Sequence, residues 1–184
     1  MKQRIYLFIT AVAALALLIS ACQSVVDIAS AESSSETSAE SSLEANKAVV
    51  RRFVQEGKNR ENPAVFGEIF SPEFQHHFHI TGEALPPGLA GTARVGEIFG
   101  IAFPAIKVTI EFLIAEGEYV LERSNVTAFN DGPYLNIPAT NKTVTWTENH
   151  LYRIVDGLIV EHWPEADMAG LLEQLGALSA ITGE

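Results

Sequence analysis

Trp146, Glu148, His150 and Tyr152 fall two residues apart along one stretch of the chain. In an extended strand, side chains alternate between faces. The four would then share one side, with the carboxylate and the imidazole about 7 Å apart along the strand. Histidine is suited to proton transfer near neutral pH, and a carboxylate desolvated by Trp and Tyr rises toward the same range. The pair therefore points to general acid/base chemistry, with Trp146 and Tyr152 as walls for a bound molecule. That reading requires the row to face a pocket. If Leu151 and Val155 face the core instead, Glu148 and His150 meet solvent.

His77 and His79 form a second candidate group, on the face of an alternating stretch opposite Phe74, His76, Phe78 and Ile80. Alternating histidines can supply two metal ligands, and His150 or Glu148 could complete a set in space. The spacing does not resemble a dedicated zinc motif, so no metal is expected. Asp167 stands where a last helix should begin. It is either an acid/base group or a carboxylate that stabilises the positive end of that helix. No glycine-rich phosphate loop and no nucleophile elbow is present, and Ser124 lacks the pattern of a nucleophile.

The elements that must position these groups follow from periodicity. Residues 46–58 carry Ala48, Val49, Phe53 and Val54 near helical spacing and end at Gly57 as a cap. Asn62-Pro63 starts a short second helix that Ser71-Pro72 should stop. Residues 74–80 alternate as a strand. Residues 91–103 read as a third helix, ended by Phe103-Pro104. Strand-like runs follow at 107–115, 119–129, 143–155 and 158–163, the last two joined by an Asp156-Gly157 hairpin turn. An amphipathic helix over 166–178 closes the chain, with Leu171, Leu172, Leu175 and Leu178 as its stripe. Helices followed by a mostly antiparallel sheet give the α+β class, and a curved sheet around a helix encloses a cone open at one end.

The first residues point to export. Lys2 and Arg4 precede an uncharged run from Ile5 to Ile19, shorter than the roughly 20 residues that a bilayer-spanning helix needs. Ile19-Ser20-Ala21-Cys22 then resembles the bacterial lipobox, in which the cysteine is lipidated and becomes the first mature residue. Cys22 is the only cysteine of the chain, so lipidation also accounts for a lone exported thiol. The expected organisation is a signal peptide over 1–21, a lipidated Cys22 heading a Ser/Glu-rich tether over 22–43, and one domain over 44–184. The tether should be disordered; its Ala and Glu content would support a helix instead, against which clustered serines compete. The resemblance implies an exported bacterial lipoprotein held at the outer membrane or cell surface by lipid on Cys22. The formal charge of −11, more negative still once Lys2 and Arg4 are removed, argues against nucleic acid as a partner.

Phe70-Ser71-Pro72-Glu73-Phe74, Phe103-Pro104, the run from Ile114 to Val120 and, above all, ENHLYRIVDGLIVEHWPEADMAGLLEQLG over 148–176 resemble the SnoaL-like polyketide cyclases, also called ester cyclases. The resemblance spans nearly the whole domain. It implies the nuclear transport factor 2-like cone, with a curved, mostly antiparallel sheet wrapped around N-terminal helices. It further implies a small domain without cofactor, acting on small apolar or aromatic carbonyl compounds through acid/base residues. By the same resemblance His77 would line the cavity mouth, while His162 and Trp163, from the family's Glu-His-Trp, and Asp167 belong to the site. A homodimer through the outer face of the sheet is also implied. One departure stands out: many relatives carry Asp directly after that Trp, where this chain has Pro164. If the cyclase acid is carried at that position, its loss favours a ligand-binding or assembly module, or a different reaction.

Overall fold

The structure is a computed structural model that describes residues 38–60, 62–80 and 83–177. The leader, Cys22 and residues 22–37 of the tether lie outside the described residues, as does Leu178 of the last apolar stripe. The chain divides into Met1–Ser42 and Leu43–Glu184. Of the first unit, residues 38–42 are helical, where a disordered tether was expected. Ala39 and Glu40 are good helix formers, and the Ser42 hydroxyl donates back to the Ala39 carbonyl at 2.7 Å rather than competing with the turn. Among the described residues no helix is long and apolar enough to cross a membrane.

In the second unit, helix α1 (residues 43–52) buries Val50 and then widens into a π-helical turn, Phe53–Lys58, that buries Phe53 and Val54. The wider turn carries the helix past Gly57, where the sequence suggested a cap. A side chain at Gly57 would meet the Phe66 ring at 2.6 Å, so glycine there lets the two helical segments close up. The turn is pinned from outside. The Asn59 amide donates to the Val108 carbonyl and accepts from the Val108 amide, both at 2.8 Å, as a neighbouring strand would.

A short 3-10 turn, Pro63–Val65, leads into α2 (Phe66–Ile69). Strand β1 (Phe70–His76) follows at once and runs through Ser71-Pro72, which was expected to be a stop. Proline is tolerated because β1 lies at the edge of the sheet. The strand ends at His76, earlier than expected, and His79–Ile80 (β2) pairs with Glu83–Ala84 (β3) in a separate small hairpin. Helix α3 (Leu89–Ala102) then precedes β4 (Lys107–Glu116), β5 (Tyr119–Phe129), β6 (Thr143–Val155), β7 (Leu158–Ala166) and α4 (Met168–Gln174). The Asp156-Gly157 turn joins β6 to β7, with both residues at positive φ, as such a hairpin requires.

The curved, unclosed sheet has the order β1-β7-β6-β5-β4. Every pairing is antiparallel except β1 with β7. Its inner face divides into three zones. Val126, Ala128, Val144 and Trp146 join Phe103, Leu171 and Leu175 in one apolar cluster. Val120, Tyr152 and Ile154 join Phe53, Phe70, Phe74 and Ile159 in another. Between them β5 and β6 place Glu122 opposite His150 and Ser124 opposite Glu148, all four buried. A layer of titratable groups thus crosses the middle of an otherwise apolar interior.

Candidate functional site

Strand alternation puts Trp146, Glu148, His150 and Tyr152 on the inner face of β6, so the solvent-facing alternative does not hold. The side chains form a chain of hydrogen bonds. The Trp146 indole N–H donates to Glu148 Oε1 at 2.8 Å. Glu148 Oε2 lies 2.7 Å from His150 Nε2, and His150 Nδ1 lies 2.7 Å from His162 Nε2 on β7. The His162 ring stacks on Tyr152, with centroids 4.5 Å apart and planes within 4°. Flat rings held face to face leave these imidazoles little rotational freedom.

Lys58, at the end of the π-helical turn, reaches the same carboxylate from the helical side. Its Nζ is 3.4 Å from Glu148 Oε2 and 5.4 Å from the Phe53 ring centroid. Burial opposes the Glu148 charge, but the Lys58 ammonium and the His150 and Trp146 hydrogen bonds outweigh it. They hold the carboxyl well below the usual carboxylate range. Burial likewise pulls against the Lys58 ammonium, while Glu148 and Glu122 outweigh it and raise its pKa. Burial, reinforced by His150, His76 and Lys58, holds His162 well below the ordinary histidine value.

A second buried carboxylate sits beside the first. Glu122 accepts from the Tyr152 hydroxyl at 2.8 Å and from Ser124 Oγ. Burial and then Glu122 push the Tyr152 phenol well above its normal pKa. Tyr134 is pushed up to about 12 by burial and by Glu148. Sequence reasoning passed over Glu122, set Ser124 aside as a nucleophile without placing it in the site, and missed Lys58. The signal for the first two was a carboxylate and a hydroxyl interrupting the inner row Val120, Val126, Ala128 at period two. Lys58 left no local signal, because a nonlocal contact of Asn59 fixes it.

Other expected residues lie elsewhere. His77 is on the outer side of the sheet, stacked on Trp163 with centroids 4.5 Å apart, and its Nε2 is 2.9 Å from Glu161. Arg153 pairs with that same Glu161 at 2.9 Å. His77 and Trp163 therefore do not join the buried chain: Trp163 follows His162 on β7 and so faces the other way, and His77, just past the end of β1, stacks on it. The histidine of β1 that does approach is His76. Its ring lies 4.7 Å from that of His162, and its buried Nδ1 has no hydrogen-bond partner among the described residues. Burial and the neighbouring His150, His77 and Lys58 lower its pKa to about 4. His79 lies on the separate hairpin rather than in the main sheet.

Asp167 also stands apart. It is exposed and caps α4, its Oδ1 accepting from the Gly170 amide at 2.9 Å. The acid/base reading of Asp167 gives way to the helix-stabilising one. Asp167→Ala is expected to lower the urea midpoint by an amount equivalent to about 1 kcal/mol while leaving every site-dependent signal unchanged. Loss of site function with stability intact would contradict this. Among the described residues no group of three His, Cys, Asp or Glu is placed to hold a metal ion.

What the arrangement can do chemically is move a proton along Glu148, His150 and His162, beside a cation and away from water. Comparison with known proteins fits the fold that carries it. The chain is similar to AclR of Streptomyces galilaeus, a candidate hydroxylase, at 28% identity and a TM-score of 0.64, covering 73% of this chain and 97% of that one. TsrD of Streptomyces laurentii is similar at 26% identity and a TM-score of 0.66, covering 73% and 96%. A Jannaschia sp. CCS1 protein bearing the name SnoaL-like polyketide cyclase is similar at 27% identity and a TM-score of 0.64, covering 74% and 92%. No curated protein matches the chain. The sheet order and flanking helices agree with the nuclear transport factor 2-like cone of such structures. A family model for SnoaL-like polyketide cyclase matches residues 48–175, most of the chain and nearly all of its folded part, and the protein belongs to that family.

Proposed function

We propose that this SnoaL-like domain holds a small apolar or aromatic carbonyl compound and cyclises or isomerises it by acid/base proton transfer, without a cofactor. The observation that carries the reading is the continuous chain Glu148–His150–His162, backed by Lys58, inside an apolar interior. Buried ionisable groups are costly, and clusters of them with displaced pKa values concentrate at sites of proton chemistry. By its leader, the protein would act as an exported lipoprotein tethered to a membrane through lipid on Cys22. The exposed Phe112, Ile114 and Tyr119, together with the His77–Trp163 pair, offer an outer face on which a homodimer would form.

The test is hydrogen exchange at the acidic carbon of an aromatic β-keto ester such as ethyl benzoylacetate, followed by NMR in D2O. The expected result is deuterium uptake above buffer, reduced about 100-fold or more in His150→Gln, the range for losing a general acid/base group. Wild-type exchange at the buffer rate across a set of such esters would sink the catalytic reading. A second reading has its own support, since Pro164 is the register partner of His150 across β6 and β7. The acid that many relatives carry at this position would stand beside His150, and here an apolar ring replaces it. Binding of the ester without exchange, seen as shifted Trp146 and His150 resonances, would identify a non-catalytic binding module.

A further inference from the structure

The proton chain has a direction. Glu148 accepts from the Trp146 indole on one oxygen and faces the Lys58 ammonium with the other, and neither partner can do anything but donate. The carboxylate is thus an acceptor throughout, and His150 Nε2, at 2.7 Å, must carry the hydrogen between them. A neutral imidazole has one N–H, which leaves His150 Nδ1 as an acceptor. The 2.7 Å contact to His162 then requires a hydrogen on His162 Nε2. Both nitrogens of His150 are occupied by protein, so neither is open to take a hydrogen from a ligand directly. Among the described residues, His162 Nδ1 is the nitrogen of this series with no hydrogen-bond partner.

We propose that His162 Nδ1 is the atom through which the site takes up and returns a proton, with His150 and Glu148 as positioning residues behind it. This deepens the acid/base reading and rests on it. The step is as follows. A carbonyl compound loses the hydrogen of its α carbon; that C–H bond breaks as a new N–H bond forms at His162 Nδ1. The bonding pair moves onto the carbonyl, giving an enolate. The hydrogen on His162 Nε2 crosses to His150 Nδ1, so the positive charge comes to rest on His150, against the Glu148 carboxylate. Return of the hydrogen through the same path to another carbon or oxygen of the ligand restores the neutral chain. The groups facing His162 suit this exchange: Tyr152 stacks on it, and His76, its register partner on β1, offers a buried nitrogen with an unmet hydrogen bond. Lys58 and His77 are the further charged or titratable groups nearby that raise the cost of a lasting charge on His162 itself.

The experiment reads the ring hydrogens directly, with no substrate. The full-length chain, 15N-labelled at histidine and held in detergent micelles at pH 8, is examined by long-range 1H–15N correlation. The expected result is that His162 carries its hydrogen on Nε2 and shows a bare, pyridine-like Nδ1, while His150 also carries its hydrogen on Nε2. A His162 with its hydrogen on Nδ1, or an even mixture of the two tautomers, would overturn the proposal. The two levels separate cleanly. A reversed tautomer with working ester exchange rejects the direction alone, whereas the expected tautomer without exchange rejects the catalysis and keeps the direction.

Discussion

Lys58→Met is expected to cost the domain about 3 kcal/mol or more in urea unfolding at pH 7, with part of the loss recovered in Lys58→Met/Glu148→Leu. The methionine keeps an apolar stem of similar length, but the substitution also removes the ammonium that lies 5.4 Å from the Phe53 ring centroid. What the single substitution removes is the cation facing Glu148, whose side chain is only 11% exposed. A buried carboxylate without its partner retains the full cost of leaving water, and that cost exceeds the worth of the pair itself. The double substitution takes away both charges, but it also removes the acceptor of the buried Trp146 and His150 N–H groups. Because Glu122 also faces Lys58, the recovery should be incomplete. A single variant within about 0.5 kcal/mol of wild type, inside the range of ordinary surface substitutions, would show that the two groups are not paired in the folded protein.

Acid should weaken the fold well above the pH at which carboxylates titrate. His76 is lowered to about 4 and His162 well below its ordinary value, so both remain neutral in the folded state where an unfolded histidine, near pH 6.5, binds a proton. From pH 6.5 down to about 4 the unfolded chain therefore holds more protons than the folded one. Stability must fall as pH falls, by up to about 1.4 kcal/mol per pH unit for each histidine. Glu148 adds to this at lower pH. Its lowered pKa supplies stability that is present above the usual carboxylate value and is lost as pH drops through the folded one. Urea midpoints at pH 7, 5.5 and 4.5 provide the measurement. His76→Phe and His162→Phe should each flatten the slope, and a wild-type midpoint that does not move between pH 7 and 4.5 would refute the buried neutral state.

Period-two spacing on β6 was enough to gather Trp146, Glu148, His150 and Tyr152 on one face, and burial of that face resolved the alternative in which Leu151 and Val155 point inward. The same rule applied to β1 chose the wrong row. It separated His76 from His77 correctly, but polar residues were sought opposite Phe74, whereas the interior of this fold has a polar layer of its own. Asp167 was ambiguous for a local reason: a carboxylate at a helix start is what either role looks like. Lys58 and the start of β1 were hidden because their causes are tertiary. The first depends on an amide of Asn59 acting as a strand neighbour to Val108, the second on an edge position that excuses Pro72.

The parallel pairing of β1 with β7 joins the first strand of the domain to its last. The β4–β5–β6 meander can form early from neighbouring segments, whereas β1 must wait for β7, which ends at Ala166. Loop-closure entropy falls on this one contact, so it belongs to the slow part of folding. The order of assembly follows. His162, the register partner of His76, arrives with β7, after the hairpins that carry Glu122, Glu148 and His150 have already met. Until then two carboxylates lie on an unfinished sheet, where water can still reach them, and docking of the final strand is the event that dries the site.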